Sequence, residues 1–272
     1  MTQWPVRLVL IGAGKMGGAM ARGWLEAGLP AASLTVLEPQ PSPEIVALAA
    51  SRSVALNPGA PVPPPDVLAL AIKPQGLDQA APGVAPLVSE ETLVVSILAG
   101  KTVANLTARL PKARAVVRAM PNLPASIGRG VTGAYANPAV TAEQRGWCER
   151  LLGAVGAFYW LNEESGIDAV TAVSGSGPAY VFALAEALAA AGEQLGLKPE
   201  LAMKLARGTV EGAAELMRRE GSTSAETLRR NVTSPGGTTA AALDVLLGPQ
   251  GLNELMARAT AAARARAAEL AG

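Results

Sequence analysis

Three glycines near the N-terminus are spaced so that a backbone turn could hold a phosphate group. The stretch GAGKMG places Gly12, Gly14 and Gly17 directly after a short apolar run and before a helical segment. In such a turn the first glycine permits a sharp bend, the second lets the backbone approach a pyrophosphate, and the third lets the helix pack on the strand. The pyrophosphate then lies at the positive end of the helix. The motif predicts a dinucleotide site that also includes Lys15 and Met16.

An acidic residue follows at the position that reads the adenosine ribose in such sites. Glu38 ends the second apolar run, about 20 residues after Gly17. Its carboxylate could accept hydrogen bonds from the ribose hydroxyls, and its charge would repel a 2′-phosphate. Glu38 therefore favours NADH. Lys15 could instead reach toward a phosphate, so NADPH stays open as the alternative.

Four more candidates for cofactor contact follow two later apolar runs. Lys73 and Pro74 follow DVLALAI, and Pro121 and Asn122 follow AVVRAM. Ligands of open parallel sheets bind beyond the carboxyl ends of the strands, which is where these residues would lie. Asn122 can both donate and accept hydrogen bonds, as recognition of a carboxamide requires. A solvated lysine and an ordinary turn are the structural alternatives.

Two turns rich in glycine and hydroxyl groups each precede a helical segment in the second half of the chain. They are VSGSGPAYVF, which contains Ser176, and NVTSPGGTTAAAL, residues 231–243. Helix capping alone could explain Ser176. Taken together, the two turns indicate a second ligand site.

Composition excludes several kinds of chemistry. The chain of 272 residues has no histidine and a single cysteine, Cys148. Serine hydrolases, imidazole proton shuttles and the usual zinc sites need histidine, so neither hydrolysis nor a metal site is expected. A lone cysteine forms no internal disulfide, which fits a reducing, cytoplasmic compartment. Lys plus Arg number 23 and Asp plus Glu 22, so a small molecule is expected as partner, with neither nucleic acid nor membrane.

The first part of the chain alternates short apolar runs with helical segments. The runs are nearly continuous in apolar residues, as parallel strands covered on both faces must be. We predict an α/β fold whose residues 1–162 form a Rossmann-like doubly wound sheet, closed by a helix near residues 142–155 and a last strand. The candidate strands are RLVLIG, LTVLE, VAL, DVLALAI, TLVVSIL, AVVRAM, GVTGAYA and AFYWL.

The second part, residues 163–272, is predicted to be an all-α domain. Two of its segments are long and rich in alanine and leucine, and Pro199 suits the first turn of the second one. Thr223, three residues before Glu226, predicts a capping box. A small helical domain with this much apolar surface often completes its core with a partner chain. We therefore expect a homodimer or higher homo-oligomer through these helices.

Five motifs along the chain resemble those of one family. In order they are IGAGKMG, AIKP, RAMPNLPASIGRGV, AVSGSGPAYVF and NVTSPGGTTAAAL, and they span residues 6 to about 247. This series is similar to that of the pyrroline-5-carboxylate reductase family. The resemblance implies reduction of 1-pyrroline-5-carboxylate to L-proline by NAD(P)H, the last step of proline biosynthesis. Lys15 departs from the asparagine or small polar residue expected there.

The resemblance also implies roles for the last motif. Family members bind the substrate carboxylate on the amides and hydroxyls of this loop, and an uncharged loop can hold an anion through N–H dipoles at a helix start. A family threonine near the imine nitrogen corresponds to Thr239, whose hydroxyl is too weak an acid to supply a proton and would orient the ring. The implied substrate-binding residues are Ser234, Gly236, Gly237 and Thr238, with Ser176 from the earlier turn.

Two other functions share some of these features. A β-hydroxyacid dehydrogenase also has a glycine fingerprint before a helical domain, but it relies on a lysine at the start of that domain's long helices. Residues 162–197 contain no lysine. A non-catalytic dinucleotide-sensing module, with the helices used only for assembly, is the second alternative. It would leave the SPGGTT loop without a purpose.

Overall fold

The computed structural model describes residues 3–271, so the outer ends of the two predicted domains, residues 1, 2 and 272, lie outside it. The described chain forms two compact units. Gly177–Ala262 is one unit, and the chain on either side of it forms the other. The predicted boundary after residue 162 stays a prediction.

A sheet runs through the first unit. Within residues 3–271 it has eight strands in the order β3-β2-β1-β4-β5-β6-β7-β8. Neighbours from β3 to β6 are parallel. This is the doubly wound order, so the predicted Rossmann-like fold is confirmed. The strands are β1 (Leu8–Ile11), β2 (Leu34–Leu37), β3 (Ala55–Leu56), β4 (Val67–Leu70), β5 (Leu93–Ser96), β6 (Ala115–Met120), β7 (Gly130–Ala136) and β8 (Gly156–Trp160).

Strand β7 departs from the expected parallel pattern. It pairs antiparallel with β6, with Met120 opposite Gly133. Only residues 121–129 connect the two strands, including a 3₁₀ turn at Leu123–Ile127. A parallel pair needs a crossover of a dozen or more residues, so this connection returns the chain in the opposite direction.

Helices cover both faces of the sheet. Along β1, Leu8 and Leu10 belong to one buried cluster and Val9 and Ile11 to another. Trp24, fully buried on the first face, donates its indole N–H to the carbonyl of Leu151 at 2.8 Å. The helices of this part are α1 (Lys15–Glu26), α2 (Pro43–Arg52), α3 (Leu77–Val84), α4 (Val103–Arg109), α5 (Ala142–Gly153) and α6 (Gly166–Val170).

The chain after β8 is helical, as predicted. A π-helical turn at Thr171–Gly175 follows α6. The remaining helices are α7 (Gly177–Gln194), α8 (Pro199–Arg219), α9 (Ala225–Asn231), α10 (Thr238–Leu246) and α11 (Leu252–Ala271). No helix among residues 3–271 has both the length and the apolar character that a membrane crossing needs.

Helix starts in this region test two predictions. Pro199 begins α8 as predicted. The capping box on Thr223 is wrong: the N-cap of α9 is Ser224, whose hydroxyl accepts from the backbone N–H of Thr227 at 3.1 Å. Thr223 instead places its hydroxyl 3.4 Å from a carboxylate oxygen of Glu220.

The second unit has a small core of its own. Among the described side chains its buried apolar cluster consists of Ala189, Ala202 and Ala206. Larger apolar side chains on α7 and α8 are exposed, including Phe182 at 56% and Leu205 at 52%. In a single chain, α7 and α8 therefore leave an apolar surface exposed.

Candidate active site

The glycine turn after β1 is built on a residue that only glycine suits. Gly12 has φ +89°, and its N–H donates to the carbonyl of Leu37 on β2 at 2.9 Å. A Cβ at this position would lie 2.8 Å from the carbonyl oxygen of Ala71, just after β4. Both backbone conformation and close packing require glycine here.

The other two glycines serve different purposes. A Cβ on Gly17 would collide with the carbonyl oxygen of Gly12, so this glycine lets α1 pack against the turn. Gly14 has φ −64°, which any residue adopts, and a Cβ there would meet no described atom within 4 Å. Neither conformation nor packing explains Gly14, so the space beside it fits a ligand that approaches the backbone.

The start of α1 is open. Gly14 is its N-cap, and no side chain of the described residues caps the helix. Lys15 is exposed and Met16 is half-buried. The unpaired N–H groups and the positive end of the helix dipole suit a phosphate.

Glu38 is fixed against this turn. Its carboxylate accepts from the backbone N–H of Ala13 at 2.8 Å through Oε2 and from that of Gln40 at 3.0 Å through Oε1. The side-chain amide of Asn57 pairs with the backbone of Glu38, accepting from its N–H at 2.9 Å and donating to its carbonyl at 2.8 Å. The negative charge is therefore held at the mouth of the turn.

Asn57 was not singled out from the sequence. It has φ +47° in the turn after β3, a conformation that asparagine tolerates better than most residues. Its position directly before Pro58 marks a turn, but nothing local in the sequence indicates that its amide reaches Glu38.

An open cleft of about 660 Å³ lies beside the turn. Lys15 and Arg22 both line the cleft. They are seven residues apart, or two helical turns, so both cations lie on one side of α1. This spacing could have identified Arg22 from the sequence. A hydrogen bond with Ser42, and to a smaller extent the charge of Arg22, lowers the pKa of Glu44. Residues lining the cleft include Gly14, Lys15, Arg22, Glu38, Gln40, Ser42, Glu44 and Ser126.

Lys73 and Pro74 follow β4, the neighbour of β1. Because β1 and β4 are parallel, these residues lie at the same edge of the sheet as the glycine turn. Lys73 is exposed, and Pro74 begins a 3₁₀ turn. The predicted position at the ligand edge therefore fits the sheet topology.

Pro121 and Asn122 follow β6 and are both buried. The Asn122 side chain donates to the carbonyl of Ser174 at 2.9 Å and accepts from the N–H of Val131 at 2.8 Å. It thus connects the end of β6 with β7 and with the π-helical turn. One amide hydrogen and one lone pair are left for a ligand, so its contact with a carboxamide stays a prediction.

Ser176 lies directly after the π-helical turn. Its N–H donates to the carbonyl of Thr171 at 2.8 Å, which closes that turn. Single π turns are rare and occur frequently at functional sites. This local geometry fits the predicted involvement of Ser176 in binding.

The SPGGTT loop of the second unit ends at an open helix start. Gly236 has φ +68°, and a Cβ on Gly237 would collide with the hydroxyl oxygen of Ser234. Gly237 is the N-cap of α10, and no described side chain satisfies the N–H groups of this helix's first turn, which begins with Thr238 and Thr239. A helix start of this kind attracts an anion.

The doubly wound sheet and its glycine turn define the class of the first unit, an α/β domain of the dinucleotide-binding type. Residues 164–270 match the family described as pyrroline-5-carboxylate reductase dimerisation. Residues 7–100 match the family described as NADP oxidoreductase, coenzyme F420-dependent.

Relatives over the whole length agree on the family. The chain is 43% identical to a pyrroline-5-carboxylate reductase of Pseudomonas aeruginosa, with 97% of each chain covered. It is similar to the structure of such a reductase from Coxiella burnetii, with TM-score 0.88, 35% identity, and coverage of 98% of this chain and 99% of that one. A pyrroline carboxylate reductase of Plasmodium falciparum, solved with NADP bound, gives TM-score 0.79 at 25% identity, with 98% of each chain covered. The chain therefore belongs to the pyrroline-5-carboxylate reductase family.

Proposed function

We propose that this protein reduces 1-pyrroline-5-carboxylate to L-proline, the last step of proline biosynthesis. Membership of the family supports this activity. The main structural support is the uncapped start of α10, which suits the substrate carboxylate. The same chain also has a glycine turn that suits a dinucleotide. A bound dihydronicotinamide would supply the hydride for the imine carbon, and the imine nitrogen would gain a proton. The residues of the chain then need only bind and orient the two rings and exclude water, and these roles require neither histidine nor metal.

The residues around the first glycine turn fit a dinucleotide. Gly14 leaves room beside the backbone, and the uncapped start of α1 offers N–H groups to the pyrophosphate. The edge beyond β4 and β6 is assigned to the remainder of the cofactor. The proposed cofactor-binding residues are Gly12, Gly14, Lys15, Met16, Gly17, Glu38, Lys73, Pro74, Pro121 and Asn122.

The loop before α10 is assigned to the substrate. Its N–H groups and hydroxyls hold the carboxylate, with Ser234, Gly236, Gly237 and Thr238 as binding residues. Thr239, half-buried in the first turn of α10, orients the ring through a hydrogen bond between its hydroxyl and the ring nitrogen. The hydroxyl donates to the neutral imine and accepts from the N–H of the protonated one. The proton comes with the substrate or through water, because an alcohol is too weak an acid to supply it. Ser176 is assigned to the same ligand.

Cofactor preference is assigned to Glu38, which favours NADH. Its carboxylate is held by two backbone N–H groups, so its charge is fixed rather than free to turn away into solvent. A 2′-phosphate near this carboxylate is repelled. Lys15 and Arg22 in the same cleft act in the opposite direction, and they are the groups through which NADPH is accepted.

A second copy of the chain completes the helical unit. Its buried cluster of three described alanines is far too small for about 85 residues, a size that normally needs a substantial core. Exposed Leu184 and Leu188 of α7 and Leu205 of α8 supply the apolar surface for a homodimer or larger assembly. The single cysteine fits a reducing cytoplasm.

The proposed activity is tested with purified protein. NADH or NADPH should be oxidised when 1-pyrroline-5-carboxylate is added and not without it, and L-proline should accumulate in equal amount. Pre-treatment with a chelator should leave the rate unchanged. A dinucleotide that binds but is never oxidised would favour the sensing module, and a rate lost with chelator would overturn the mechanism.

A further inference from the structure

One carboxylate oxygen joins three segments of the first unit. The Oε1 atom of Glu164 accepts from Nη1 of Arg118 at 2.7 Å and from the backbone N–H of Val103 at 2.8 Å. Arg118 lies on β6, Val103 begins α4 after the β5–α4 connection, and Glu164 lies just before α6. The three segments are distant in sequence, and this single atom holds them together.

The Arg118–Glu164 ion pair differs from a surface pair formed just before the same strand begins. The side chains of Arg118 and Glu164 are 5% and 31% exposed. Arg114, the residue before β6, and Glu90 are also 2.7 Å apart, but their side chains are 66% and 61% exposed. Exposed pairs contribute little, whereas loss of one partner from a buried pair leaves an uncompensated charge. The Arg118–Glu164 contact therefore constrains the structure around it.

The Arg118–Glu164 pair lies near the carboxyl ends of the parallel strands, the edge of the sheet at which ligands bind. Four residues after Arg118, the same strand leads to Asn122, whose amide donates to the carbonyl of Ser174. Strand β6 and the turn after it thus contact residues 164–176 twice, once at Glu164 and once at Ser174. Through its hydrogen bond to Glu164, Val103 also fixes the end of the β5–α4 connection against this segment.

We propose that Arg118 and Glu164 are positioning residues for hydride transfer. They hold residues 164–176 and the β5–α4 connection in fixed register with the end of β6, so that the groups at the ligand edge present the nicotinamide and the imine in reactive geometry. Neither side chain needs to contact a ligand. This role rests on the proposed reductase function.

Glu164→Gln, Glu164→Ala and Arg118→Lys test the role, with Glu90→Gln as the matched surface control. Gln keeps an acceptor for Val103 but removes the charge, and Lys keeps the charge but not the planar guanidinium. Because small misplacements of reacting groups are costly, kcat should fall about tenfold or more in Glu164→Ala, and less in Glu164→Gln and Arg118→Lys. The KM for the imine and the Kd for the dinucleotide should stay within about twofold of wild type. Glu90→Gln should match wild type in all three quantities.

Folding is followed separately by circular dichroism and by the melting temperature. If Glu164→Ala does not fold, the Gln and Lys variants decide the outcome. A lower melting temperature with kcat unchanged in the folded variants would show a purely structural pair and overturn the proposal. A Kd for the dinucleotide that weakens as much as kcat falls would overturn it too, because it would show a binding role. An inactive wild type would refute the reductase function instead, so the two failures are distinguishable.

Discussion

The carboxylate of Glu38 accepts a hydrogen bond of 2.8 Å from the backbone N–H of Ala13, inside the glycine turn. An acidic side chain at the end of β2 is thereby part of the glycine turn itself. In the proposed cofactor site, a substitution at Glu38 would change the charge at the ribose position and would also free a backbone donor beside the pyrophosphate position. Both changes favour a more anionic cofactor.

Glu38→Ser should therefore change cofactor choice. We expect the ratio of kcat/KM with NADPH to that with NADH to rise about tenfold or more, or roughly 1.4 kcal/mol. Both efficiencies are measured in wild type and variant. Glu26→Ser, which removes an exposed carboxylate at the other end of α1, outside the cleft, is the control and should leave the ratio nearly unchanged. An equal shift in both variants, or a wild type with strong NADPH preference, would refute Glu38 as the selector.

Gly14→Ala should separate binding from folding. The backbone of Gly14 suits alanine and its Cβ would meet no described atom. The free energy of unfolding should change by less than about 1 kcal/mol, because the lower entropy of the unfolded alanine chain opposes the poorer fit of alanine at an N-cap. The methyl group should exclude the pyrophosphate and weaken dinucleotide binding by about 1–3 kcal/mol, measured by titration. Gly12→Ala is the contrasting variant, because φ +89° and contact with Ala71 should make it unfold at lower denaturant concentration. Unchanged affinity in Gly14→Ala would place the cofactor elsewhere.

Thr239→Val should affect turnover rather than cofactor affinity. Valine keeps the shape and removes the hydroxyl, so loss of one hydrogen bond in a dry site should cost about 1–3 kcal/mol in kcat/KM for the imine. The Kd of the dinucleotide should not change. Thr239→Ser, which keeps the hydroxyl, should be milder. Wild-type kinetics in the valine variant would show that the hydroxyl is only structural.

Leu205→Glu should break the assembly. Leu205 is 52% exposed on α8, and a carboxylate buried there without a partner at an interface would cost several kcal/mol. The mass measured by sedimentation should fall relative to wild type. Val6→Glu introduces the same charge at an apolar residue of the first unit that is 76% exposed, and it should leave the mass unchanged. An unaltered mass in Leu205→Glu would place the interface on another surface.

Cys148 should report unfolding. Burial raises the pKa of its thiol, since a thiolate would be desolvated in the core. The thiol should resist alkylation at pH 8 in the native protein and react quickly in urea. The folded pKa is raised, so the stabilisation is complete below the unfolded pKa of about 8.5 and is lost as the pH rises above it. The free energy of unfolding, measured from about pH 7 to about pH 10, should fall with pH in wild type and fall less in Cys148→Ala. Rapid alkylation of the native protein would contradict the buried position of Cys148.

Much of the fold follows from local patterns in the sequence. Apolar runs bounded by turn residues predict the eight strands found in residues 3–271, and the spacing of the glycines predicts the packing role of Gly17, which depends on the nearby Gly12. The direction of β7 was missed because an apolar run looks the same in either direction. The Asn122–Ser174 contact and the Arg118–Glu164 pair also depend on tertiary structure, because their members lie 52 and 46 residues apart and a single sequence has no periodic signal for such contacts.

Because the described buried cluster of the helical unit consists of three alanines, the proposed assembly through these helices would make folding depend on protein concentration. A unit whose apolar surface is covered only by another copy gains stability from association, so its melting temperature should rise with protein concentration. Folding and assembly then become a single equilibrium. In the proposed assembly, residues such as Phe182 and Leu205 would be under the constraints of an interior, although both are exposed on a single chain.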